Sequence, residues 1–310
     1  AGIENADRYV DATTLSTEQD FEEAVKYYTV FGRVTPEQKR YLVRAFQKQG
    51  HTVAMTGDGV NDVLALKDAN CGIAMASGSQ AASQVAQIVL LNSQFSAMPA
   101  IVAEGRRVIN NIERSASLYL VKNIFSFCLA FFTLFATLPY PFSPAQLTLV
   151  SAVTIGIPSF ILAMEPNESL VKGKFLRNVL FRALPAAMTD LAMVVGILLF
   201  YIAFHLDDTA MITICTGVMG IVGLMMVHRT CQPYNTIRKV MIVVLGVLFV
   251  IAYFGFPTLF SLEKLSLQSA LILIVFGLLS WPVMKAFCRL NDRMRAKFEA
   301  WRAAKTAKAA

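Results

Sequence analysis

Six apolar stretches, each close to the roughly 20 residues a helix needs to cross a bilayer, fill most of the chain beyond residue 115. They run at about 116–138, 146–164, 183–204, 209–227, 239–256 and 266–284. In hydrocarbon every backbone polar group must find its partner inside the protein, which restricts this part of the chain to a bundle of membrane helices. Composition agrees. Only 16% of residues are charged and 55% are hydrophobic, against roughly 25% charged in a soluble domain. Disorder is excluded by the same apolar content.

The net charge of +7 is unevenly spread: residues 1–114 carry −2 and the remainder +9. The basic excess therefore lies with the apolar half, where membrane topology explains it and a nucleic-acid partner is not expected. Lys172, Lys174, Arg177 and Arg182 fall between the second and third stretches, and Arg229, Arg238 and Lys239 between the fourth and fifth. The other turns are almost free of Lys and Arg: Pro139 to Ala145 has none, and His205 to Asp208 adds Asp207 and Asp208. The positive-inside rule puts the basic loops, residues 1–114 and a basic tail over 289–310 in the cytoplasm. Six crossings of a cell membrane return both ends of the chain to that side. The tail reads as a solvated or lipid-facing helix end.

Five cysteines, odd in number and widely spaced, indicate neither a disulfide framework nor a zinc site. The chain opens Ala1-Gly2-Ile3, without a signal peptide, and reads as a fragment whose first domain starts abruptly.

Residues 1–114 have a different texture. Short β-rich runs, Thr29 to Val34, Thr52 to Met55, Gly72 to Met75 and Ile88 to Leu91, alternate with helical patterns and predict a partial α/β domain with a parallel sheet. Thr35-Pro36-Glu37-Gln38 is a helix start, with Thr35 as cap, Pro36 in the first turn and Gln38 closing a capping box. Thr17 to Tyr28 is charged and amphipathic. A continuous helical pattern runs from about Met98 through Arg114 into the first apolar stretch, interrupted weakly by Gly105. About 40 residues at 1.5 Å each make a rod of roughly 60 Å, long enough to carry motion from a soluble domain into a bilayer.

The most informative segment is Thr56-Gly57-Asp58-Gly59-Val60-Asn61-Asp62, directly after a strand and at the start of a helix. Ligands on parallel sheets collect at the carboxyl ends of the strands. Asp58 and Asp62, with Asn61 between them, suit Mg2+ held directly or through water beside a phosphate. Gly57 and Gly59 allow close backbone approach. The competing reading is a surface turn in which Asp62 favours a helix N-terminus.

Phe31-Gly32-Arg33-Val34-Thr35-Pro36-Glu37-Gln38-Lys39 before this segment and Leu66-Lys67-Asp68-Ala69-Asn70-Cys71-Gly72-Ile73-Ala74-Met75 after it complete a pattern. Together they resemble the hinge-proximal half of the phosphorylation domain of P-type ATPases, which has the haloacid-dehalogenase type of α/β fold. The resemblance continues through Glu104-Gly105-Arg106-Arg107-Val108-Ile109-Asn110-Asn111 into the first span. It implies Asp58 as the direct Mg2+ ligand, Asp62 and Asn61 as its support, and Lys39 at the transferred phosphoryl group of ATP. Taken alone, Lys39 reads as an exposed helix lysine. Val63-Leu64 stands where many family members have Ala-Pro, a difference expected to touch packing rather than chemistry. Neither Asp-Lys-Thr-Gly-Thr, which carries the phosphorylated aspartate of this family, nor Thr-Gly-Glu occurs. An adenine-binding domain and the first four membrane helices are missing too, so the chain alone is expected to be inactive and to need the N-terminal half of such a pump.

In the second stretch, Ser151-Ala152-Val153-Thr154-Ile155-Gly156-Ile157-Pro158 combines hydroxyls with a helix-breaking proline. Pro158 has no N–H for the Thr154 carbonyl, and a freed carbonyl within a bilayer is a ligand for a hard cation. A plain kink satisfied by neighbouring helices is the alternative. The segment is similar to the unwound sixth transmembrane helix of cation pumps. It departs from the calcium-pump pattern at Ile155, where an acidic residue is usual, and again at Phe127 in the preceding span. Asp190 and Glu165 are the nearest carboxylates; Asp190 suits either helix pairing or substrate coordination, and Glu165 an interfacial place. Lys122 can replace a counter-ion, form a salt bridge or snorkel to the surface.

The combined reading is the C-terminal part of a bacterial-type, calcium-pump-like cation-transporting ATPase, with membrane lipids around it. Lys122-Asn123 also resembles the fifth helix of lipid-flipping P-type ATPases, which supplies an alternative substrate class. A soluble phosphatase of the same α/β fold conflicts with six spans. A non-catalytic membrane module remains the reading if the chain is complete.

Overall fold

The computed structural model describes residues 3–136, 138 and 140–307. Thr137 and Pro139, where the first expected span ends and turns, and residues 308–310 of the expected tail lie outside the described residues. The chain divides into two compact units, Ala1–Val102 and Ala103–Ala310.

The first unit is an α/β domain with parallel pairing throughout. β1 (Tyr9–Asp11) pairs with β2 (Val30–Gly32), and β3 (Ala54–Gly57), β4 (Cys71–Met75) and β5 (Ile88–Leu90) form a second sheet in that order. Ala54 lies opposite Cys71, and Ile73 opposite Ile88. The expected strands are present in shortened form, and β1 is an addition. Three residues, Tyr-Val-Asp, carry too little alternation to stand out from loop. α1 (Glu18–Ala24) begins at Thr17, whose side chain accepts from the Asp20 amide while Asp20 bonds back. α2 (Pro36–Lys48) has the capping box its sequence announces, Thr35 with Gln38, and the Gln38 amide also donates to the carbonyls of Ala12 and Leu15. α3 (Val63–Asp68) and α4 (Gln80–Val85) are short, and the core beneath them is small: Val43, Ala65 and Ala69 on one side, Leu66, Ala74 and Ala82 on the other.

α5 runs unbroken from Met98 to Ala136, so Gly105 does not interrupt it. α6 (Pro144–Ser151) and α7 (Ile157–Ala163) are joined by a π-helical turn over Ala152–Gly156. α8 (Phe175–Phe204), α9 (Asp208–Thr230), α10 (Thr236–Gly255) and α11 (Leu267–Ala307) complete the bundle. Among the described residues six helical segments are long and apolar enough to cross a membrane, and each overlaps one of the six expected stretches. α8 starts earlier than the hydropathy because its first turns carry Arg177 and Arg182. α11 continues as one helix through the basic residues expected as a tail.

α9 is the hub, contacting α6, α8, α10, α11 and the π turn. Gly217 and Gly220 make this possible: a Cβ at Gly220 would come within 1.9 Å of the Phe249 ring, and one at Gly217 within 2.9 Å of the Tyr253 hydroxyl. Small residues at i, i+3 spacing let membrane helices approach where no aqueous hydrophobic effect drives them together. The Tyr253 hydroxyl closes the contact by donating to the Thr213 carbonyl at 2.8 Å. Inside α8, Pro185 cannot serve the Phe181 carbonyl. The Asn291 side-chain amide of α11 donates to that carbonyl instead, at 2.8 Å.

The compact units part at residue 102, while hydropathy changes near 114. Residues between these points pack with the bundle through polar contacts that hydropathy does not register. Asn111 donates to the carbonyls of Ala163 and Glu165, and Asn110 to those of Asn167 and Ser169. The two asparagines thus satisfy the open carbonyls at the end of α7 and in the loop beyond it.

Candidate functional site

In the first unit the loop after β3 holds two carboxylates in opposite circumstances. A 3-10 turn over Val60–Asp62 folds Asp62 back beneath the loop, where it is 5% exposed. Its Oδ1 accepts from Lys39 Nζ at 2.6 Å, and its Oδ2 from the amides of Asp58 and Gly59 at 3.3 and 3.2 Å. Burial opposes the charge on Asp62, but the Lys39 ammonium and the loop amides outweigh it and hold the carboxyl below the usual carboxylate range. The Asp58 side chain is exposed and has no ion-pair partner among the described residues. Asn61 is exposed beside it. Lys39 is set at the start of α2 by the Thr35 cap, which brings it to Asp62 across 23 residues of sequence.

Gly57 also has a packing role inside the loop. A Cβ there would sit 2.5 Å from the Asp62 Cβ, so the glycine makes room for Asp62 itself. Gly59 would tolerate a Cβ more easily, with Asp62 Oδ2 at 3.6 Å. Two residues that the sequence did not single out complete the loop. The Ser79 amide donates to the Asp58 carbonyl at 2.7 Å, and Gly78 permits this approach because a Cβ would be 2.3 Å from that oxygen. Ser77-Gly78-Ser79 is only a turn signal in sequence, with nothing to connect it to Asp58.

Among the described residues no group of three or more His, Cys, Asp or Glu converges to hold a metal alone. The donor set still fits Mg2+, which keeps several waters and takes one or two carboxylates together with phosphate oxygens. Asp58 is the free carboxylate for this, and Asp62, already bonded on both oxygens, is the anchor of the loop.

In the second unit a cavity of about 30 Å³ lies beside the π turn, lined by Lys122, Ser151, Thr154, Ile155, Asp190 and Gly223 among others. That is room for a water or two, or for a stripped ion. The Thr154 hydroxyl donates to the Val150 carbonyl at 2.8 Å, leaving its lone pairs available. Gly223 faces it from α9 so closely that a Cβ would meet Thr154 Cγ2 at 2.6 Å. Asp190 is 3% exposed and its Oδ1 has no hydrogen-bond partner among the described residues. Lys122 has no ion-pair partner among the described residues.

The other residues singled out in the spans lie elsewhere. Pro158 is buried just past the π turn and does not line the cavity, and Asn123 stands on the exposed face of α5, as does Phe127. Glu165, at the end of α7, is buried and held by Arg238 at 2.6 Å, Arg114 at 3.6 Å and the Asn235 amide. Such a carboxylate is spoken for. Sequence did not show that Gly217, Gly220 and Gly223 share one face of α9, although their i, i+3 spacing carries the signal.

A family model for haloacid dehalogenase-like hydrolases matches residues 4–70. Among curated proteins, the chain is 36% identical over 305 residues to a probable cation-transporting ATPase, exp7, of Streptococcus pneumoniae, covering 96% of this chain and 39% of that protein. It is 37% identical over 322 residues to the calcium-transporting ATPase CtpE of Mycobacterium bovis, covering 94% and 39%. The Mycolicibacterium smegmatis CtpE is 39% identical over 289 residues, covering 88% and 36%. The chain thus spans about two fifths of the length of these relatives.

Proposed function

Because the chain belongs with the P-type ATPases, the ATP-hydrolysing membrane translocases, we propose that it supplies the magnesium-side half of the phosphoryl site and six helices of the transport path of a cation pump. The parts such a pump also needs, the phosphorylated aspartate and the adenine-binding domain, are supplied by sequence outside this chain. Its basic loops and both its ends lie on the cytoplasmic side.

In the loop after β3, Asp58 presents the carboxylate that takes Mg2+, Asn61 orients water beside it, and Asp62 holds Lys39 at the phosphoryl position. Bound Mg2+ would neutralise charge developing on the transferred phosphoryl group. Asp62 keeps the Lys39 ammonium aimed, at 2.6 Å, which preorganises the site at no cost during the reaction.

One observation carries the transport reading: the buried carboxylate of Asp190 lacks a partner for Oδ1 and lines the cavity beside Ser151, Thr154 and the π turn. An unpaired intramembrane carboxylate is costly to keep, and a π turn is a frequent functional device. A cation entering the cavity gains the Asp190 charge and the Thr154 and Ser151 oxygens. Lys122, on the same wall, serves as the built-in counter-charge when the cation has left. Calcium is the favoured cargo, given the relatives. The lipid-flipping alternative loses support because Asn123 does not line the cavity with Lys122.

The test is cation dependence of phosphoenzyme formation by the full-length protein in lipid. Asp190→Asn is expected to weaken activation by the cation about 10- to 100-fold, the equivalent of one charged contact. Thr154→Ala should weaken it less, by about 3- to 10-fold. Unchanged cation dependence in both variants defeats the path assignment, and activation by phospholipid with indifference to cations restores the lipid reading.

A further inference from the structure

We propose that a second cavity, at the basic-loop end of the helical bundle, binds a phosphate-bearing anion. It measures about 490 Å³ and lies among polar mid-helix residues of α5 and α11, the start of α8, the end of α9 and the loop before α8. Its charge is unbalanced. Arg114, Lys172, Arg182, Arg229 and Arg295 line it, against Glu113 and Asp292.

The acids absorb only part of this surplus: Arg114 faces Glu165 at 3.6 Å and Arg295 faces Glu299 at 3.2 Å, while Lys172 and Arg229 have no ion-pair partner among the described residues. Glu113 is engaged by Arg182 at 3.5 Å and by the Asn178 amide at 3.1 Å. Arg182 also feels the positive charge of both Arg229 and Arg295. Arg229 makes no ion pair among the described residues, and its Nη1 is buried without a hydrogen-bond partner. Arg114, 8% exposed, faces Glu165 at 3.6 Å through a buried Nη1 that has no hydrogen-bond partner among the described residues, and the buried Thr230 hydroxyl has none either. Buried donors without acceptors cost free energy. One ligand class supplies what is lacking: an anion with several oxygens, able to take guanidinium forks from more than one helix.

Phosphate suits this best, because its tetrahedral oxygens accept bidentate pairs from arginine. Basic pockets between membrane helices near the headgroup level are also where anionic lipid headgroups bind. The shared chemistry is a phosphate mono- or diester, arriving from a lipid or from solution. The cavity is separate from the one beside the π turn, and its occupant would brace α8 and α9 at the end opposite the α8–α9 turn.

The experiment uses the full-length protein in phosphatidylcholine nanodiscs with two probes. Radiolabelled inorganic phosphate is followed by equilibrium binding, and phosphatidylglycerol doped into the disc is followed by native mass spectrometry after extraction. Binding of either probe is expected, and its identity distinguishes solution from lipid. Arg229→Gln should weaken that binding about ten-fold or more, whereas Lys239→Gln, an equal charge loss outside the cavity, should leave it unchanged. Should Arg229→Gln fail to fold, Arg295→Gln at the exposed rim carries the same expectation. Binding of neither probe, or equal weakening by the cavity and control variants, overturns the proposal.

Discussion

Asp62 and Asp190 are both buried carboxylates, one in each unit, and their surroundings could hardly differ more. Asp62 has an ammonium on one oxygen and two backbone amides on the other. Asp190 borders a largely apolar cavity that also holds Lys122 and the hydroxyl residues Ser151 and Thr154, and it keeps an oxygen with no hydrogen-bond partner among the described residues. The first is fully partnered, and in the function proposed above its exposed neighbour Asp58 is the carboxylate that meets the ligand. The second keeps an unpartnered oxygen, which in the same proposal the cation completes. A buried charge therefore marks a binding group only when its partners are missing, and a well-paired one marks the scaffold beside it.

The sharpest way to separate the two roles in the first unit is Asp58→Asn. In the full-length protein it should lower ATP turnover by about a thousand-fold, the scale of removing a preorganised electrostatic group, while thermal unfolding stays unchanged. Normal turnover would place the metal elsewhere.

Comparing Asp62→Asn with Asp190→Asn tests the contrast directly by stability. Losing the paired Asp62 charge should destabilise the first unit by about 1–2 kcal/mol, discounted for a partner that is one-third exposed. Asp190→Asn replaces a buried carboxyl that already keeps one oxygen without a partner and should leave the bundle about as stable. A larger loss for Asp190→Asn than for Asp62→Asn would break the comparison, because Asp190 would then be a structural partner.

A smaller effect concerns pH. Burial opposes ionisation of Asp68, but Arg40 and Arg44, at 2.7 and 2.9 Å, prevail and hold its carboxyl below the ordinary value. A depressed folded value means the stabilisation is fully present above the unfolded value of about 4 and fades as pH falls through the folded one. Asp68→Asn should flatten the stability of the first unit between about pH 5 and pH 3, read by hydrogen exchange in β3 and β4. An unchanged acid profile would show that the two arginines contribute nothing there.

Much of the fold was legible from local pattern. The six spans, the Thr35 capping box and the strands flanking the Asp58 loop follow from periodicity, caps and turn residues over a few positions. β1 was not legible because three residues carry no period. The long polar-to-apolar run of α5 was read correctly as one helix, but its polar residues Asn110 and Asn111 reach partners more than 50 positions away. Asn123 was grouped with Lys122 on sequence adjacency. On a helix, neighbours in sequence point about 100° apart, and the two residues fall on different faces.

The sequence by itself determined most of the helices and strands, which half is apolar, and which short loop carries the carboxylates. Those properties are local, set by backbone preference and by the free energy of transferring each segment out of water. Only the tertiary structure decided which charges have partners. Lys39 reaches Asp62, Glu165 gathers two arginines, and Asp190 and Arg229 are left with donors or acceptors to spare. Pairing depends on angstrom-scale distances between elements far apart in the chain, and electrostatic and hydrogen-bond energies change over that scale.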